Sequence, residues 1–162
     1  MTNIPILAKQ IIDRLIIDGA GIVTAESCTA GLIIGALTEI SGASSVIDRS
    51  FVTYSNQSKH EILGVQVSSL EAEGAVSAIV AQEMAEGALL ACPSATYSIA
   101  VTGIAGPGGG TDTKPVGLVY IGIGKRNALT QVFKHNFTGN RQAVRQQTVE
   151  AALNLLCERL TS

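Results

Sequence analysis

The sequence predicts an α/β fold: one three-layer α/β/α domain over residues 1–162 with a mixed sheet. Three observations predict it. Segments with helical apolar spacing alternate with short β-rich runs, two β-rich runs follow one another near the end, and a long amphipathic stretch closes the chain. Alternating strands and helices imply parallel strands with crossover helices, whereas two adjacent runs joined by a polar turn imply an antiparallel hairpin. A chain of 162 residues suits one domain with a sizeable core. A hydrophobic share of 46% against 15% charged residues places it among globular proteins and excludes a disordered chain.

Taken in order, residues 4–17 carry Ile4, Leu7, Ala8, Ile11, Ile12, Leu15 and Ile16 at helical spacing, and Gly19 ends the helix. Residues 21–25 read as a strand and 27–40 as a helix, followed by a small-residue turn at 41–45. Residues 51–55 form a second β-rich run. A short helix over 56–63 has Ser58 and Glu61 at capping-box spacing, and Ser68 and Glu71 repeat that spacing at a brief helical turn. Ser77 caps a helix running to Ala91, stopped by Pro93. A strand follows at 95–101, then a glycine-rich loop at 103–115, then strands at 116–124 and 129–138 around a polar turn. Residues 140–160 form the closing helix, with Val144, Thr148, Ala152, Leu155 and Leu156 on its buried stripe.

A net charge of -2 with a pI of about 5.6 and no basic run argues against nucleic acid as a partner. No stretch approaches a membrane span, and the first 18 residues are too polar for a signal peptide. Cys28, Cys92 and Cys157 form no short pairing, so a reduced, cytoplasmic protein is expected. His60 and His135 are the only histidines and show no zinc spacing with the cysteines, and no metal or organic cofactor is expected. A mean hydropathy of +0.35 in a small chain leads us to expect a homo-oligomer.

Two stretches stand out chemically. The first is Thr24-Ala-Glu-Ser-Cys-Thr-Ala-Gly31, a small polar turn between a strand and a helix. Ser27 there can cap the helix, or act as a nucleophile with amides at the helix start serving as an oxyanion hole. Glu26 can brace the turn or touch a substrate. Cys28 reads as a small apolar residue, since no partner for a thiolate is evident. The second is Val101-Thr-Gly-Ile-Ala-Gly-Pro-Gly-Gly-Gly110, which follows a strand and packs five glycines into Gly103 to Gly110. Such a loop lets backbone N–H groups approach a phosphate, or it simply connects two strands. Arg141 and Arg145 lie one helical turn apart at the start of the last helix, where cations oppose the helix dipole. A phosphate there would offset that cost, although a solvated pair is the plain alternative. Tyr54 and Lys59 follow the second strand. A buried lysine beside a serine can be its general base, with a tyrosine relaying the proton, while an ordinary surface lysine is the alternative.

Together, Ala25-Glu-Ser-Cys-Thr-Ala-Gly31, Val52-Thr-Tyr-Ser-Asn-Gln-Ser-Lys59, Gly74-Ala-Val-Ser77, the glycine loop, Lys114-Pro-Val-Gly117 and Gly139-Asn-Arg141 resemble the CinA C-terminal domain family. They occur in the family's order and cover nearly the whole chain. Members stand alone or follow a molybdopterin-binding-like domain. The resemblance implies deamidation of nicotinamide mononucleotide to nicotinate mononucleotide and ammonia, a step of pyridine nucleotide recycling, without a cofactor. It implies Ser27 as nucleophile, Lys59 as base and Tyr54 in support. By the same resemblance Glu26, Thr29, Ala30, Gly31, Thr102, Gly103, Gly106, Gly108, Gly109, Arg141 and Arg145 are expected to hold the nucleotide. Ala30 departs from the family's usual second glycine, and its methyl is expected to crowd the site. Two other readings share these residues: a non-catalytic nucleotide-sensing module, and an amidase for another small amide.

Overall fold

The structure, a computed structural model, describes residues 3–162. Its elements are α1 (Ile4–Asp18), β1 (Ile22–Glu26), α2 (Leu32–Thr38), a 3-10 turn (Ala43–Ser45), β2 (Phe51–Val52), α3 (Asn56–Leu63), α4 (Val67–Glu73), α5 (Ala78–Ala91), β3 (Tyr97–Gly103), β4 (Leu118–Lys125), β5 (Gln131–Asn136) and α6 (Arg141–Thr161). The five strands lie in the order β2-β1-β3-β4-β5. β2, β1 and β3 are parallel, and β3, β4 and β5 are antiparallel, so the sheet is mixed.

Period-two alternation divides each strand between two helical layers. Ile22, Ile99, Val101, Val119, Ile121 and Ile123 pack with Ile11, Leu15, Leu153 and Leu156 beneath α1, α2 and α6. Val23, Ala25 and Ala100 face Val80, Met84, Ala85 and Ala88 of α5 on the opposite side, where α3 and α4 pack in turn. This second layer sits close because its residues are small. A Cβ on Gly122 would lie 2.7 Å from the Ala81 carbonyl.

The expected elements all form, with revised limits. The second helix starts at Leu32 rather than residue 27. Ala30 and Gly31 take positive φ (50° and 98°), and the backbone enters the helix only after them. β2 keeps two of its five expected residues; the Thr53 N–H still donates to the Glu26 carbonyl, and Ser55 already caps α3. Ser55, not Ser58, caps α3 by accepting the Ser58 N–H. α4 begins at Val67 with no side-chain cap, while Glu83 accepts the Gln66 N–H and the Ser69 hydroxyl. Ser77 and Asn140 cap α5 and α6 as their positions imply. No helix of the described residues is long and apolar enough to cross a membrane.

Candidate active site

β1 ends at Glu26 and β3 at Gly103, side by side and parallel, so their carboxyl ends open on one point above the sheet. Ser27 is the first residue beyond β1. Its N–H donates to the Val101 carbonyl of β3 at 3.1 Å, which ties the serine to the sheet. Parallel strands present their ligand sites at such carboxyl ends.

Lys59 comes up from α3 with its side chain wholly inside, at 1% exposure. Its Nζ lies 2.9 Å from Ser27 Oγ, 2.9 Å from the Thr53 carbonyl and 3.1 Å from the Tyr54 carbonyl. Among the described residues no carboxylate pairs with it. Burial therefore lowers its pKa from 10.5 to about 8. A neutral amine has two N–H bonds and one lone pair. With both carbonyls accepting N–H groups, the lone pair is left for the Ser27 hydroxyl.

Beneath this pair, Glu26 is fully buried and accepts five hydrogen bonds. They come from the Thr24 and Thr29 hydroxyls and from the N–H groups of Gly31, Ile33 and Ile34. A carboxylate at a helix N-terminus satisfies orphan amides and complements the dipole. Glu26 is thus the cap of α2, and Ser27 is released from that task.

The amides of the turn are divided accordingly. Ala30 N–H bonds to the Ser27 carbonyl and Leu32 N–H to the Thr29 carbonyl. Among the described residues, the N–H groups of Cys28 and Thr29 have no acceptor. Any oxyanion site here consists of these two turn amides, because those at the helix start are taken by Glu26. Cys28 adjoins Ser27, yet burial pushes its thiol up to about 11, so it remains protonated and a poor nucleophile at neutral pH.

A cavity of about 200 Å³ opens over Ser27, lined by the buried Cys28, Lys59, Thr102 and Ala105, by Gly103, Ala75 and Val76, and by the exposed Tyr54, Asn56 and Arg141 at its mouth. Arg141 donates to the Gly106 carbonyl at 2.9 Å and to the Tyr54 hydroxyl at 3.1 Å. Thr102 donates to the Ala75 carbonyl, fastening the segment that precedes α5. Among the described residues no three His, Cys, Asp or Glu side chains gather into a metal-binding set.

A family model for the CinA C-terminal domain matches residues 5–160. The chain belongs to the CinA C-terminal domain family. A nicotinamide-nucleotide amidohydrolase PncC of Enterobacter agglomerans is 49% identical over 83% of this chain and 82% of its own length. A CinA-like protein of Endomicrobium trichonymphae is 49% identical over 91% of the chain, which covers only 34% of that protein. Other similar curated proteins are named CinA-like protein or putative competence-damage inducible protein, and the chain spans about a third of their length. The crystal structure of competence/damage inducible protein CihA from Agrobacterium tumefaciens superposes with a TM-score of 0.94 at 46% identity, over 100% of this chain and 98% of that one.

In this CinA domain the predicted residues divide into three groups. Ser27, Lys59, Tyr54, Thr102, Gly103 and Arg141 line one cavity. Glu26, Thr29, Gly31 and Arg145 stand behind the turn instead. Glu26 and Thr29 are buried against each other, Gly31 supplies the left-handed entry to α2, and Arg145 bonds to the Cys28 and Thr29 carbonyls. Gly108 and Gly109 are exposed, Gly106 accepts from Arg141 through its carbonyl, and the loop folds on itself through hydrogen bonds among Ile104, Gly117 and Leu118. The Tyr54 hydroxyl accepts from Arg141 while Lys59 reaches Ser27 directly, so the base needs no relay through Tyr54 to meet the serine. The Ala30 methyl is exposed and outside the cavity, so it does not crowd the site; its cost is a left-handed backbone that glycine would adopt more readily. Cys28, Asn56, Ala75, Val76 and Ala105 line the cavity without being predicted binders. The Gly74-Ala-Val-Ser77 motif and the residue next to Ser55 held the signal that could have found Asn56, Ala75 and Val76.

Proposed function

We propose that the chain hydrolyses the carboxamide of a nicotinamide nucleotide, nicotinamide mononucleotide first among them, to the carboxylate and ammonia. One observation carries this reading: a buried lysine without an anionic partner sits 2.9 Å from a serine hydroxyl at the carboxyl end of a strand. The naming of the Enterobacter agglomerans relative supports the substrate class.

The neutral amine of Lys59 takes the Ser27 proton as Oγ attacks the carboxamide carbon. The carbonyl oxygen becomes an oxyanion for which the unpartnered Cys28 and Thr29 amides are the available donors. Collapse of the tetrahedral intermediate breaks the C–N bond, and the Lys59 ammonium returns its proton to the leaving nitrogen, releasing ammonia. Water then attacks the acyl-serine, again with Lys59 as base, giving the free carboxylate and restoring Ser27. A cavity of about 200 Å³ takes a pyridine ring with its carboxamide, and the ribose and phosphate lie across the mouth. There Arg141 can exchange the Tyr54 hydroxyl for a phosphate oxygen, a stronger charge-assisted acceptor.

Ser27→Ala and Lys59→Ala are each expected to reduce ammonia release from nicotinamide mononucleotide to background while far-ultraviolet dichroism stays that of the wild type. Undiminished turnover in either variant removes that residue from the mechanism. Tight mononucleotide binding by a wild type that releases no ammonia would instead make the domain a nucleotide sensor.

A further inference from the structure

Two carbonyls of the turn that carries Ser27 are held from behind by one side chain. Arg145, in the second turn of α6, donates from Nε to the Cys28 carbonyl at 3.0 Å and from Nη2 to the Thr29 carbonyl at 3.1 Å. These peptides are trans, and in a trans peptide the C=O and N–H point in opposite directions. A donor that fixes the carbonyl on one side fixes the amide on the other.

Both unpartnered amides can be traced back to this guanidinium. The Cys28 carbonyl shares its peptide with the Thr29 N–H. The Thr29 carbonyl shares its peptide with the Ala30 N–H, which donates to the Ser27 carbonyl at 3.1 Å. The Ser27 carbonyl in turn shares its peptide with the Cys28 N–H. Each free amide thus ends a short chain of peptides that begins on Arg145, and hydrogen-bonded chains polarise their members.

We propose that Arg145 is the positioning residue of an oxyanion site formed by the Cys28 and Thr29 N–H groups. The proposal rests on the reading of Ser27 as an acyl-transfer nucleophile. It separates the two arginines that open α6. Arg141 lies at the cavity mouth, while Arg145 spends Nε and Nη2 on the turn and does not line the cavity. It also explains a cation so near a helix N-terminus: two carbonyls offset the unfavourable dipole. Lysine, a point donor, cannot span both carbonyls as the guanidinium fork does.

The experiment compares Arg145→Lys and Arg145→Met with the wild-type chain in three readouts. In ammonia release from nicotinamide mononucleotide, both variants are expected to lose about 10²-fold in kcat, with KM moving by less than about threefold. The pH at half-maximal kcat is expected to stay put, because the contacts of Lys59 are untouched. Labelling of Ser27 by a fluorophosphonate, whose tetrahedral adduct places an oxygen in the same site, is expected to slow by about 10²-fold without any nucleotide present.

A raised KM at near wild-type kcat would make Arg145 a phosphate ligand and overturn the proposal. So would activity that falls only in step with the folded fraction, or labelling at the wild-type rate. Should Arg145→Met not fold, Arg145→Lys carries the comparison. A wild type that labels rapidly but releases no ammonia refutes the amidase reading and leaves Arg145 to be judged on the labelling ratio. A wild type that labels no faster than Ser27→Ala refutes the oxyanion site itself.

Discussion

Lys59 is where residue-scale physics decides what the site can do. Its amine has exchanged water for two carbonyls and one hydroxyl, and burial brings its pKa from 10.5 to about 8. The neutral base is therefore a minority form at neutral pH, and kcat for ammonia release is expected to rise with pH and reach half its plateau near 8. The same burial has a sign for stability. A cation whose folded pKa lies below its unfolded one opposes folding, here by roughly 3 kcal/mol. That cost is fully present below about pH 8 and is relieved as pH rises toward about 10.5, because the folded chain loses its proton first. Lys59→Met removes the cation, so its stability relative to wild type is expected to be most favourable at pH 7 and to worsen above pH 8. Urea melts of both proteins at several pH values measure this, and a pH-independent difference would refute the buried-cation account. Glu26, one residue before Ser27, shows the opposite solution: a buried anion kept in place by five donors.

At the scale of elements, the site depends on how closely α3 approaches α5. A Cβ at Gly87 of α5 would fall 1.9 Å from the Leu63 carbonyl, the last residue of α3. No rotamer relieves a clash with backbone, so Gly87→Ala must push α3 outward. Because Lys59 is carried by α3, the displacement acts directly on its 2.9 Å contact with Ser27. Gly87→Ala is expected to lower stability by roughly 1–3 kcal/mol and kcat by more than about tenfold, with little change in KM. A folded variant with wild-type kcat would show that α3 is free to slide without moving its lysine. The elements themselves were legible because their signals are local: apolar spacing, Ser77 as a cap, Pro93 and Gly19 as stops. Helix α2 was misplaced by five residues because its cap is a glutamate reaching forward from the end of a strand. Propensity does not encode a contact of that kind. Strand limits moved by two residues wherever turns at Ala95, Val116 and Leu129 retained β-rich composition without a partner strand.

At the scale of the whole molecule, what was legible was which residues matter, and what was hidden was which side of the turn each occupies. Ser27, Lys59 and Arg141 come from three elements separated by up to 114 positions and meet only because β1, α3 and α6 converge at one end of the sheet. Glu26 and Arg145 carry equally polar side chains in equally suggestive motifs, but their hydrogen bonds go to the turn behind Ser27, which makes them supports. No spacing rule distinguishes a charge facing a cavity from one facing a backbone. Ser27, Lys59 and Arg141 come together within one copy of a chain that spans about a third of the length of several curated relatives. With nucleophile, base and cavity arginine all supplied by one copy, chemistry independent of self-association is the expected outcome. Ammonia released per mole of chain is therefore expected to stay constant across about a thousandfold dilution, followed in parallel by analytical ultracentrifugation. Specific activity that falls as the chain dissociates would show that a neighbouring copy contributes to the mouth beside Tyr54 and Arg141, the part of the cavity most open to solvent. Constant activity through a dissociation would confine the mechanism to the residues around Ser27.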